Sequence, residues 1–448
     1  MNRPEPATAG STAAAGTVAE RPPLLSVEDL RIHFRTRRGI VHAVDGVSLE
    51  IRDGETLGLV GETGSGKSVT ARALTRLVAV PPGIHAGGRV LFRPRSTCPG
   101  CAGAGCERCA GAGKTRAPCP SCAGAGCPAC GQSGHETLDL LTVPIGRLRQ
   151  IRGNHIAMIF QDPGRALNPA LSVRQQLAEV FAEHRAGELL RAAGLDPEAA
   201  SRVLRRAARG RTSFLERRLL QLPPLRSGNR RLAEVMDERI AHALADTRIP
   251  NPRKVMHSYP HELSGGMKQR VMIAQAIAAD PDLLIADEPT TALDVTIQAR
   301  ILDLIAELQE RHHTAVLYIS HDLSLVRRIS DNVAVLYAGK LAEVAPAGSL
   351  FAGPLHPYTR GLLNASPAHG QRRGQLAAIE GTVPELVDPA PSCRFATRCP
   401  HAGPACRSLE PALVQRSRLG HRVACFLHQT AEELGVPAAD LPKPGRAR

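Results

Sequence analysis

The sequence predicts an α/β fold, and three apolar segments support this prediction. The run ETLGLV (55–60) has the length and composition of a buried strand, and a helix-compatible stretch, VTARALTRLV, follows it after a glycine-rich loop. Two later runs, LLIAD (283–287) and AVLYIS (315–320), have the same character. Buried strands separated by helical segments are typical of a parallel sheet with helices on its faces.

The glycine-rich loop after the first strand fits the pattern G-x-x-x-x-G-K-[ST] at every position. Glycines let the backbone curl so that its N–H groups and the following helix N-terminus surround phosphate groups. Lys67 would neutralise the β- and γ-phosphates, and the Ser68 hydroxyl would ligate Mg²⁺. A chance glycine-rich turn is the alternative. The predicted phosphate-binding residues are Gly61, Glu62, Thr63, Gly64, Ser65, Gly66, Lys67 and Ser68.

Further polar residues follow the other apolar segments and argue against a chance turn. Asp287 and Glu288 end the strand LLIAD, where the first can hold Mg²⁺ and the second can polarise an attacking water. The stretch LSGGMKQR (263–270) precedes them by one helix and opens a second helix start suited to anions. His321 and Gln161 each close a strand and can reach the γ-phosphate and the metal, although either residue alone would more often be structural.

At these residues the chain resembles the ATP-binding cassette (ABC) ATPases. The resemblance implies a P-loop fold with a RecA-like core, an antiparallel β subdomain and a helical subdomain, and it implies ATP and Mg²⁺ as ligands. In this family two cassettes face each other, so one set of motifs needs a second ATPase subunit. The implied roles are Walker A for Gly61–Ser68, Q-loop for Gln161, signature for Leu263, Ser264, Gly265 and Gly266, Walker B for Asp287, catalysis for Glu288, D-loop for Asp294, and switch histidine for His321.

The same resemblance implies the Mg²⁺ ligands and an adenine contact. The Mg²⁺ ligands would be Ser68, Gln161 and Asp287. Phe34, at the end of VEDLRIHF, would stack on adenine, but a phenylalanine at this position can equally be a core residue.

Composition narrows the possible settings of the protein. The 448 residues carry a formal charge of +14, which favours an anionic partner, whereas an aromatic content of 3% disfavours binding to single-stranded nucleic acid. No apolar run is long enough to span a membrane. Residues 1–24 lack the apolar core of a secretory signal and predict a disordered tail of a cytosolic protein.

The C-terminal third indicates which kind of cassette this is. HPYTRGLLNASP (356–367), CRFATRCPHAGPAC and HRVAC resemble the ATPase subunits of dipeptide and oligopeptide importers. That resemblance implies an ATPase domain (25–340), a small cysteine-containing C-terminal domain (341–435) and a tail (436–448). It also implies two membrane permeases, an extracytoplasmic solute-binding protein that acts indirectly, and a peripheral position on the cytoplasmic face of the plasma membrane.

Two alternatives from other classes compete with the importer. Excision-repair ATPases also carry C-x-x-C zinc modules within their cassettes, but they are tandem cassettes on far longer chains. A stand-alone peptide-binding chaperone would explain the cysteines and leave the ATPase motifs unexplained. Transport is therefore favoured, and no nucleic-acid partner is expected.

The helical subdomain (165–262) is expected to be expanded. Residues 185–253 hold fifteen Arg against eight Asp and Glu, an excess that can meet acidic headgroups or permease loops, although a solvated face is the commoner explanation. ELLRAAGL and RLAEVMDERIAHAL show helical spacing, and PPLRSGN between them predicts a turn.

Eight cysteines form an insertion (95–136) in which two segments repeat with a period of 21 residues. Eight thiolates supply two tetrahedral zinc sites, and so short a glycine-rich segment needs metal to fold. A disordered loop and a redox switch are the alternatives. The insertion also resembles the zinc region of DnaJ-type chaperones, which implies pairing of the first C-x-x-C with the fourth and the second with the third. The predicted zinc ligands are Cys98, Cys101, Cys106, Cys109, Cys119, Cys122, Cys127 and Cys130.

The insertion contains none of the predicted ATP-contacting motifs, which predicts a surface accessory. Four more cysteines lie near the C-terminus with the loose spacing x5, x6, x18. Spacing alone suggests structural zinc. The importer resemblance instead implies a [4Fe–4S] cluster held by Cys393, Cys399, Cys406 and Cys425.

Overall fold

The computed structural model describes residues 22–99, 114–125, 127, 133–211, 213–291, 294–365, 379–417 and 420–442. Its strands are β1 (Leu25–Thr36), β2 (Gly39–Ile51), β3 (Thr56–Val60), β4 (Gly83–Phe92), β5 (Arg95–Thr97), β6 (Lys114–Arg116), β7 (Leu138–Asp139), β8 (Ile156–Ile159), β9 (Leu283–Asp287), β10 (Ala315–Ser320), β11 (Asn332–Tyr337), β12 (Lys340–Pro346), β13 (Val414–Gln415) and β14 (Arg422–Val423).

Helices lie between and after these strands. They are α1 (Lys67–Leu74), α2 (Ile145–Ile151), α3 (Pro163–Ala166), α4 (Val173–His184), α5 (Ala186–Ala192), α6 (Arg202–Ala208), α7 (Phe214–Leu219), α8 (Pro223–Asp246), α9 (Pro252–Val255), α10 (Gly265–Ile277), α11 (Val295–His312), α12 (Leu323–Ile329), α13 (Ala347–Ala352), α14 (Pro357–Ala365), α15 (Pro404–Ser408) and α16 (Ala431–Leu434). Within the described part of the chain, none of them is both long and apolar enough to cross a membrane.

An eight-stranded sheet forms the centre of the molecule, in the order β13-β14-β12-β11-β3-β10-β9-β8. Its strands β11, β3, β10, β9 and β8 are parallel neighbours. Every residue of β3, β9 and β10 is buried, as expected for parallel strands covered on both faces. The three strands predicted from apolar runs are therefore adjacent, and their carboxyl ends lie at one edge of the sheet.

A second sheet packs beside the first and is four-stranded and antiparallel, in the order β2-β1-β4-β7. Leu30, Val47 and Val90 from three of its strands are fully buried in the same hydrophobic cluster as Leu57 and Leu283 of the central sheet. The two sheets therefore share one core, which agrees with the predicted antiparallel subdomain.

Helices α3 to α10 form a helical subdomain with its own hydrophobic cluster, in which Val173, Ile240 and Val271 are fully buried. The prediction of a turn at PPLRSGN is wrong, because these residues form the first two turns of α8. Proline is tolerated in the first helical turn, where the backbone N–H has no intrahelical acceptor. Gly228 lies close to Leu204 of α6, so a residue without a side chain allows the two helices to approach.

The structure moves three predicted domain boundaries. Leu24 is fully buried, so the N-terminal tail does not extend to residue 24. The boundary predicted between residues 340 and 341 falls inside β12, which pairs with β11 along its length. At the other end, Pro442 is buried and lines a cavity of the C-terminal region, so the packed part of this region extends beyond residue 435.

The base of the cysteine insertion is part of the ATPase domain. Strands β5 and β6 form a hairpin stem, with Arg95 opposite Arg116. The Arg95 backbone N–H and Nε donate to the two carboxylate oxygens of Asp282, at 3.0 and 3.1 Å. Both residues are buried, and Asp282 directly precedes β9. The insertion is thus attached at its base to the strand that carries Asp287, and its role as a surface accessory stays a prediction.

Two further ion pairs fix the stem. Lys114 Nζ lies 2.7 Å from a carboxylate oxygen of Asp280, and Arg116 Nη2 lies 2.6 Å from Asp53. Burial alone would raise the pKa of Asp282, but the hydrogen bond from His155 and the charge of Arg95 outweigh it and hold the pKa below its usual value. The stem and His155 therefore together stabilise the charged form of Asp282.

Candidate functional site

The predicted phosphate-binding loop lies between β3 and α1, at the carboxyl edge of the central sheet. Gly66 has a φ of 103°, and a Cβ atom there would lie 2.3 Å from the carbonyl oxygen of Ala43. Gly64 has a φ of 82° and open space around its Cα. Both values lie in the left-handed region that favours glycine, so the loop requires glycine at these positions. Thr63 and Gly64 are exposed, as a ligand-binding turn requires.

Lys67, the predicted phosphate-binding lysine, is the first residue of α1. Lys67 Nζ donates to the carbonyl oxygens of Gly61 and Glu62, at 2.8 and 2.9 Å. Burial lowers the pKa of Lys67. The ammonium group is therefore held over the loop by two neutral carbonyl groups, and an anionic phosphate would be a stronger partner for it.

Asp287 meets the loop from β9. The Ser68 hydroxyl donates to Asp287 Oδ1 at 2.7 Å, whereas Asp287 Oδ2 is buried without a hydrogen-bond partner. Burial raises the pKa of Asp287. A buried carboxylate oxygen without a donor, next to a serine hydroxyl, fits the oxygen ligands that Mg²⁺ takes from a protein. The residues present therefore fit the implied metal.

Glu288 is the centre of a cluster of polar side chains. Its backbone has a φ of 47°, which is strained for a residue with a side chain and occurs most often at functional sites. Gln161 Nε2 donates to Glu288 Oε2 at 3.1 Å, and Thr291 Oγ1 donates to the same oxygen at 3.0 Å. His321 Nδ1 lies 3.4 Å from it. Three residues predicted to act in hydrolysis are thus brought together from three different strand ends.

The predicted signature residues lie in the helical subdomain. Ser264 is the N-cap of α10, and its hydroxyl accepts from the Met267 backbone N–H. Leu263 is buried in the helical cluster, whereas Ser264 and Gly265 are exposed. The exposed helix start is available to a second molecule, and its packing belongs to a different cluster from that of the phosphate loop.

Asp294 and Phe34, two further predicted site residues, each make a structural contact. Asp294 is the N-cap of α11 and accepts from the Ile297 backbone N–H at 3.0 Å. Residues 292–293, the other predicted D-loop residues, lie outside the described residues. Phe34 is partly buried and packs against the core beneath the antiparallel sheet. Its stacking on adenine stays a prediction.

The insertion cysteines that the structure describes are Cys98, Cys119, Cys122 and Cys127, and the other predicted ligands, Cys101, Cys106, Cys109 and Cys130, lie outside the described residues. The sulfurs of Cys119, Cys122 and Cys127 lie within 4.8 Å of one another. They belong to the third and fourth C-x-x-C pairs. This grouping differs from the pairing implied by the DnaJ resemblance, second with third and first with fourth, which stays a prediction because Cys101, Cys106, Cys109 and Cys130 lie outside the described residues. A tight turn after Cys119, in which the Ala123 N–H donates to the Cys119 carbonyl at 2.8 Å, brings the two pairs together.

The four C-terminal cysteines surround one small cavity. Cys393, Cys399, Cys406 and Cys425 line it together with His356, Phe395, Phe426 and neighbouring residues. Burial raises the pKa of the Cys393 and Cys425 thiols to about 12. Cys393 and Cys399 share one loop, Cys406 lies in α15 and Cys425 follows β14, so the tertiary fold assembles this site.

Sequence reasoning missed three residues that contact the predicted site. Thr291 bonds Glu288, and Tyr358 and Arg398 contact Glu62 of the phosphate loop. A hydroxyl next to a predicted catalytic acid was a usable signal for the first. No sequence signal links the other two to a loop some 300 residues away, because only the fold brings them there.

A cluster outside the predicted site also offers metal-ligating atoms. His33, His42 and Asp45 place three such atoms within 4.8 Å of one another. Asp45 already accepts from Arg394 at 2.8 Å and lies 3.3 Å from Lys340 Nζ. Because these two cations balance its charge, the cluster is explained without a metal.

Two family profiles match the chain. The profile described as ABC transporter matches residues 44–98 and 111–291, which include the phosphate loop, Gln161, the signature and the acids of β9. The profile described as oligopeptide/dipeptide transporter, C-terminal region, matches residues 342–406. This range includes Tyr358, and it includes His356 and Phe395, which line the cavity together with the C-terminal cysteines.

Close relatives share nearly the whole length of the chain. A probable peptide ABC transporter ATP-binding protein of Sinorhizobium fredii is 38% identical over 404 residues, which cover 90% of this chain and 94% of the relative. A dipeptide transport ATP-binding protein of Bacillus subtilis is 35% identical over 417 residues, covering 93% and 98%. An oligopeptide transport ATP-binding protein of Escherichia coli is 36% identical over 411 residues, covering 92% and 94%. The chain therefore belongs to the ATP-binding subunits of ABC transporters, in the group that carries the oligopeptide/dipeptide transporter C-terminal region.

Proposed function

We propose that this protein hydrolyses ATP to energise the import of dipeptides, oligopeptides or related small solutes. The observation that carries the proposal is the joining of two features in one chain: the Glu288 cluster beside the phosphate loop, and the C-terminal region at residues 342–406. The competing function in nucleic-acid handling explains the first feature alone. The names of the relatives also favour peptide transport.

Hydrolysis at this site would depend on positioning and charge rather than on covalent chemistry. Lys67 and the loop N–H groups would bind the phosphates, and Mg²⁺, held by Ser68 and Asp287, would neutralise charge on them. Glu288 would orient and polarise the attacking water. Gln161 and His321, both within 3.4 Å of Glu288, would fix that carboxylate and contact the water or the γ-phosphate.

The proposal includes a second ATPase subunit and two permeases. The signature residues Ser264 and Gly265 are exposed and would complete the ATP site of the second subunit, as the family resemblance implies. ATP-driven closure of the two ATPase subunits would change the conformation of two permeases, and a solute-binding protein outside the membrane would deliver the solute. The subunit would then be peripheral on the cytoplasmic face of the plasma membrane.

We include zinc in the insertion as part of the proposal. Cys119 Sγ and Cys127 Sγ lie 3.9 Å apart, which matches the edge of about 3.8 Å that a tetrahedron with Zn–S bonds of about 2.3 Å requires. Cys122 provides a third sulfur in the same group. The fourth ligand is proposed to be Cys130.

We include an iron–sulfur cluster at the tail cysteines. All four line the same cavity, but no three of these described sulfurs lie within 4.8 Å of one another, so they are too widely spaced for a single tetrahedral ion. A cluster of four irons and four sulfides is larger than one ion and needs more widely spaced thiolates around a cavity.

The substitution Glu288→Gln tests hydrolysis. We expect it to keep MgATP binding and to reduce the ATPase rate by about a hundredfold or more, because the carboxylate that polarises water is lost. Glu310→Gln, an exposed position on α11, is the matched control and should leave the rate unchanged. A wild-type rate at this site in the Glu288→Gln protein, assembled with its natural partners, would refute the role of Glu288.

The transport function is tested in the cell. In one experiment, the tagged chain would be isolated with its partners from solubilised membranes. In a second experiment, its gene would be deleted in a strain that needs an external peptide for growth. Permeases in the isolated complex and loss of peptide-dependent growth, restored by the wild-type gene, are the expected results. Nucleic-acid repair proteins in the complex and normal peptide use would favour the alternative.

A further inference from the structure

Glu62, the second residue of the phosphate-binding loop, is held from three sides. Lys67 Nζ donates to its carbonyl oxygen at 2.9 Å. Its backbone N–H donates to the hydroxyl oxygen of Tyr358 at 2.9 Å, and its carboxylate accepts from Arg398 Nη1 at 2.8 Å. Two of these three partners, Tyr358 and Arg398, lie in the C-terminal region at residues 342–406, outside residues 44–291 that carry the cassette motifs.

Tyr358 reaches the loop from a rigid aromatic cluster. Its side chain is fully buried, and its ring centroid lies 4.5 Å from that of Tyr337 and 5.4 Å from that of Phe395. Phe395 also lines the four-cysteine cavity. The position of the Tyr358 hydroxyl is therefore fixed by packing that is continuous with the wall of this cavity.

Arg398 is equally constrained before it meets Glu62. Its Nε donates to the Glu380 carbonyl at 2.9 Å and its Nη2 to the Ile379 carbonyl at 3.1 Å. Its side chain is 5% exposed. A guanidinium that is removed from water and fixed by two neutral carbonyls still needs an anionic partner, and Glu62 is that partner. Arg398 immediately precedes Cys399, one of the four cavity cysteines.

We propose that Arg398 and Tyr358 are positioning residues of the phosphate-binding loop, and that through them the four-cysteine region sets the affinity for ATP. The loop must present its N–H groups in one conformation before nucleotide arrives. Because Glu62 is fixed by its N–H and its carboxylate, the free loop has fewer conformations, and ATP binding costs less conformational entropy. The part that concerns the cysteines rests on the proposed metal site, and the part that concerns Glu62 does not.

The first experiment measures binding of MgATP to the full-length chain, by titration with a fluorescent ATP analogue and competition with ATP. Arg398→Ala should weaken binding about tenfold, the size expected for one charge-assisted hydrogen bond. The hydrolysis rate at saturating ATP should change less, because Glu288, Gln161 and His321 are untouched. Arg398→Lys should recover part of the affinity.

Arg394→Ala is the matched control. Arg394 lies in the same loop, next to another cavity cysteine, and is similarly buried, but it donates to Asp45 on β2 at 2.8 Å. This variant should be destabilised to a similar extent and should bind ATP like the wild type. Equal weakening by Arg394→Ala and Arg398→Ala would indicate general destabilisation and would overturn the proposal.

A double-mutant cycle with Glu62→Ala separates positioning from folding. If Arg398 acts through Glu62, the double variant Glu62→Ala/Arg398→Ala should bind ATP no more weakly than either single variant. Fully additive losses would refute the proposal. Should Arg398→Ala fail to fold, Tyr358→Phe keeps the ring packing, removes only the acceptor of the Glu62 N–H, and should itself weaken binding; unchanged affinity in that variant would count against the proposal.

Cys399→Ser tests the link to the cysteine region, with iron content measured on anaerobically prepared protein. The variant should lose iron and bind ATP more weakly, whereas in the Arg398→Ala background the loss of iron should have no further effect on affinity. Iron loss with unchanged affinity would refute the link. Absence of iron from the wild type would refute the proposed cluster and would leave the Arg398–Glu62 cycle as an independent result.

Discussion

The two groups of cysteines differ in how they are assembled. In the insertion, Cys119, Cys122 and Cys127 come from nine consecutive residues, and their sulfurs lie within 4.8 Å of one another. In the C-terminal region, four cysteines spread over residues 393–425 line a cavity and are not so close. One site is made by a local turn, and the other by the packing of a loop, helix α15 and the segment after β14.

This difference shows what cysteine spacing can reveal. Short C-x-x-C spacing fixes the distance between two sulfurs almost independently of the fold, so it predicts a site suited to one small ion. Spacing of five, six and eighteen residues leaves the distance to the tertiary structure, so it does not predict the size of the site. The same residue type therefore gives a strong local signal in one region and a weak one in the other.

The largest expected effect is on metal content. Replacing Cys393, Cys399, Cys406 and Cys425 by Ser should abolish a brown iron–sulfur absorbance in anaerobic protein and leave zinc bound. Replacing Cys119, Cys122, Cys127 and Cys130 by Ser should instead remove one zinc ion and leave the absorbance. Metal analysis and absorption spectra check both. Zinc without iron at the four C-terminal cysteines, or loss of both metals from either variant, would show that the two groups of cysteines do not hold different metals.

A smaller effect is expected on the free energy of unfolding when the insertion is removed with or without its β5–β6 stem. Replacing residues 95–136 by a Gly/Ser linker removes Arg95 and Lys114 and leaves Asp282 with only His155 of these three partners, which should destabilise the protein by about 3–5 kcal/mol. Replacing residues 99–113 alone keeps the stem and should cost much less. Denaturant unfolding measures both.

With the stem kept, ATP hydrolysis should also be retained, because the replaced residues contain none of the predicted motifs. Complete loss of hydrolysis in a folded protein that lacks only residues 99–113 would show that this segment acts on the ATP site. Equal stability of the two deletions would show that the stem contacts contribute little.

The smallest expected effect concerns acid stability at the stem. Arg95, Lys114 and His155 face Asp282, and its pKa in the folded state lies below the unfolded value. Its contribution to stability is therefore present above the unfolded pKa of about 4 and is lost as the pH falls towards the folded pKa. Asp282→Asn removes this dependence, so the variant's unfolding free energy should fall less steeply than that of the wild type below about pH 4.

The measurement is urea unfolding at several pH values, with Asp303→Asn, an exposed aspartate paired with Arg328, as control. The control should keep the wild-type slope. Parallel curves for Asp282→Asn and the wild type would show that this ion network does not contribute to acid unfolding.

Sequence predicted three strands of the central sheet, β3, β9 and β10, and the glycine-rich loop after β3, because both depend on local patterns. Buried strands are apolar runs, and the loop at Gly61–Ser68 needs glycine at positions with positive φ. It failed at PPLRSGN, where a pattern typical of turns begins a helix, and at the boundary placed within β12. At PPLRSGN the packing of α8 against α6 decided the outcome, and at the boundary the pairing of β12 with the preceding strand β11 did.

The sequence by itself determined the chemistry of this protein: a lysine and a serine after a glycine-rich loop, two acids after a strand, and two sets of cysteines. Only the tertiary structure decided which of these groups meet. It brought Gln161 and His321 to Glu288, joined the insertion to Asp282, and placed Arg398 on Glu62. The physical reason is that hydrogen bonds and ion pairs act over a few ångströms, whereas Glu62 and Arg398, for example, are separated by 336 positions along the chain.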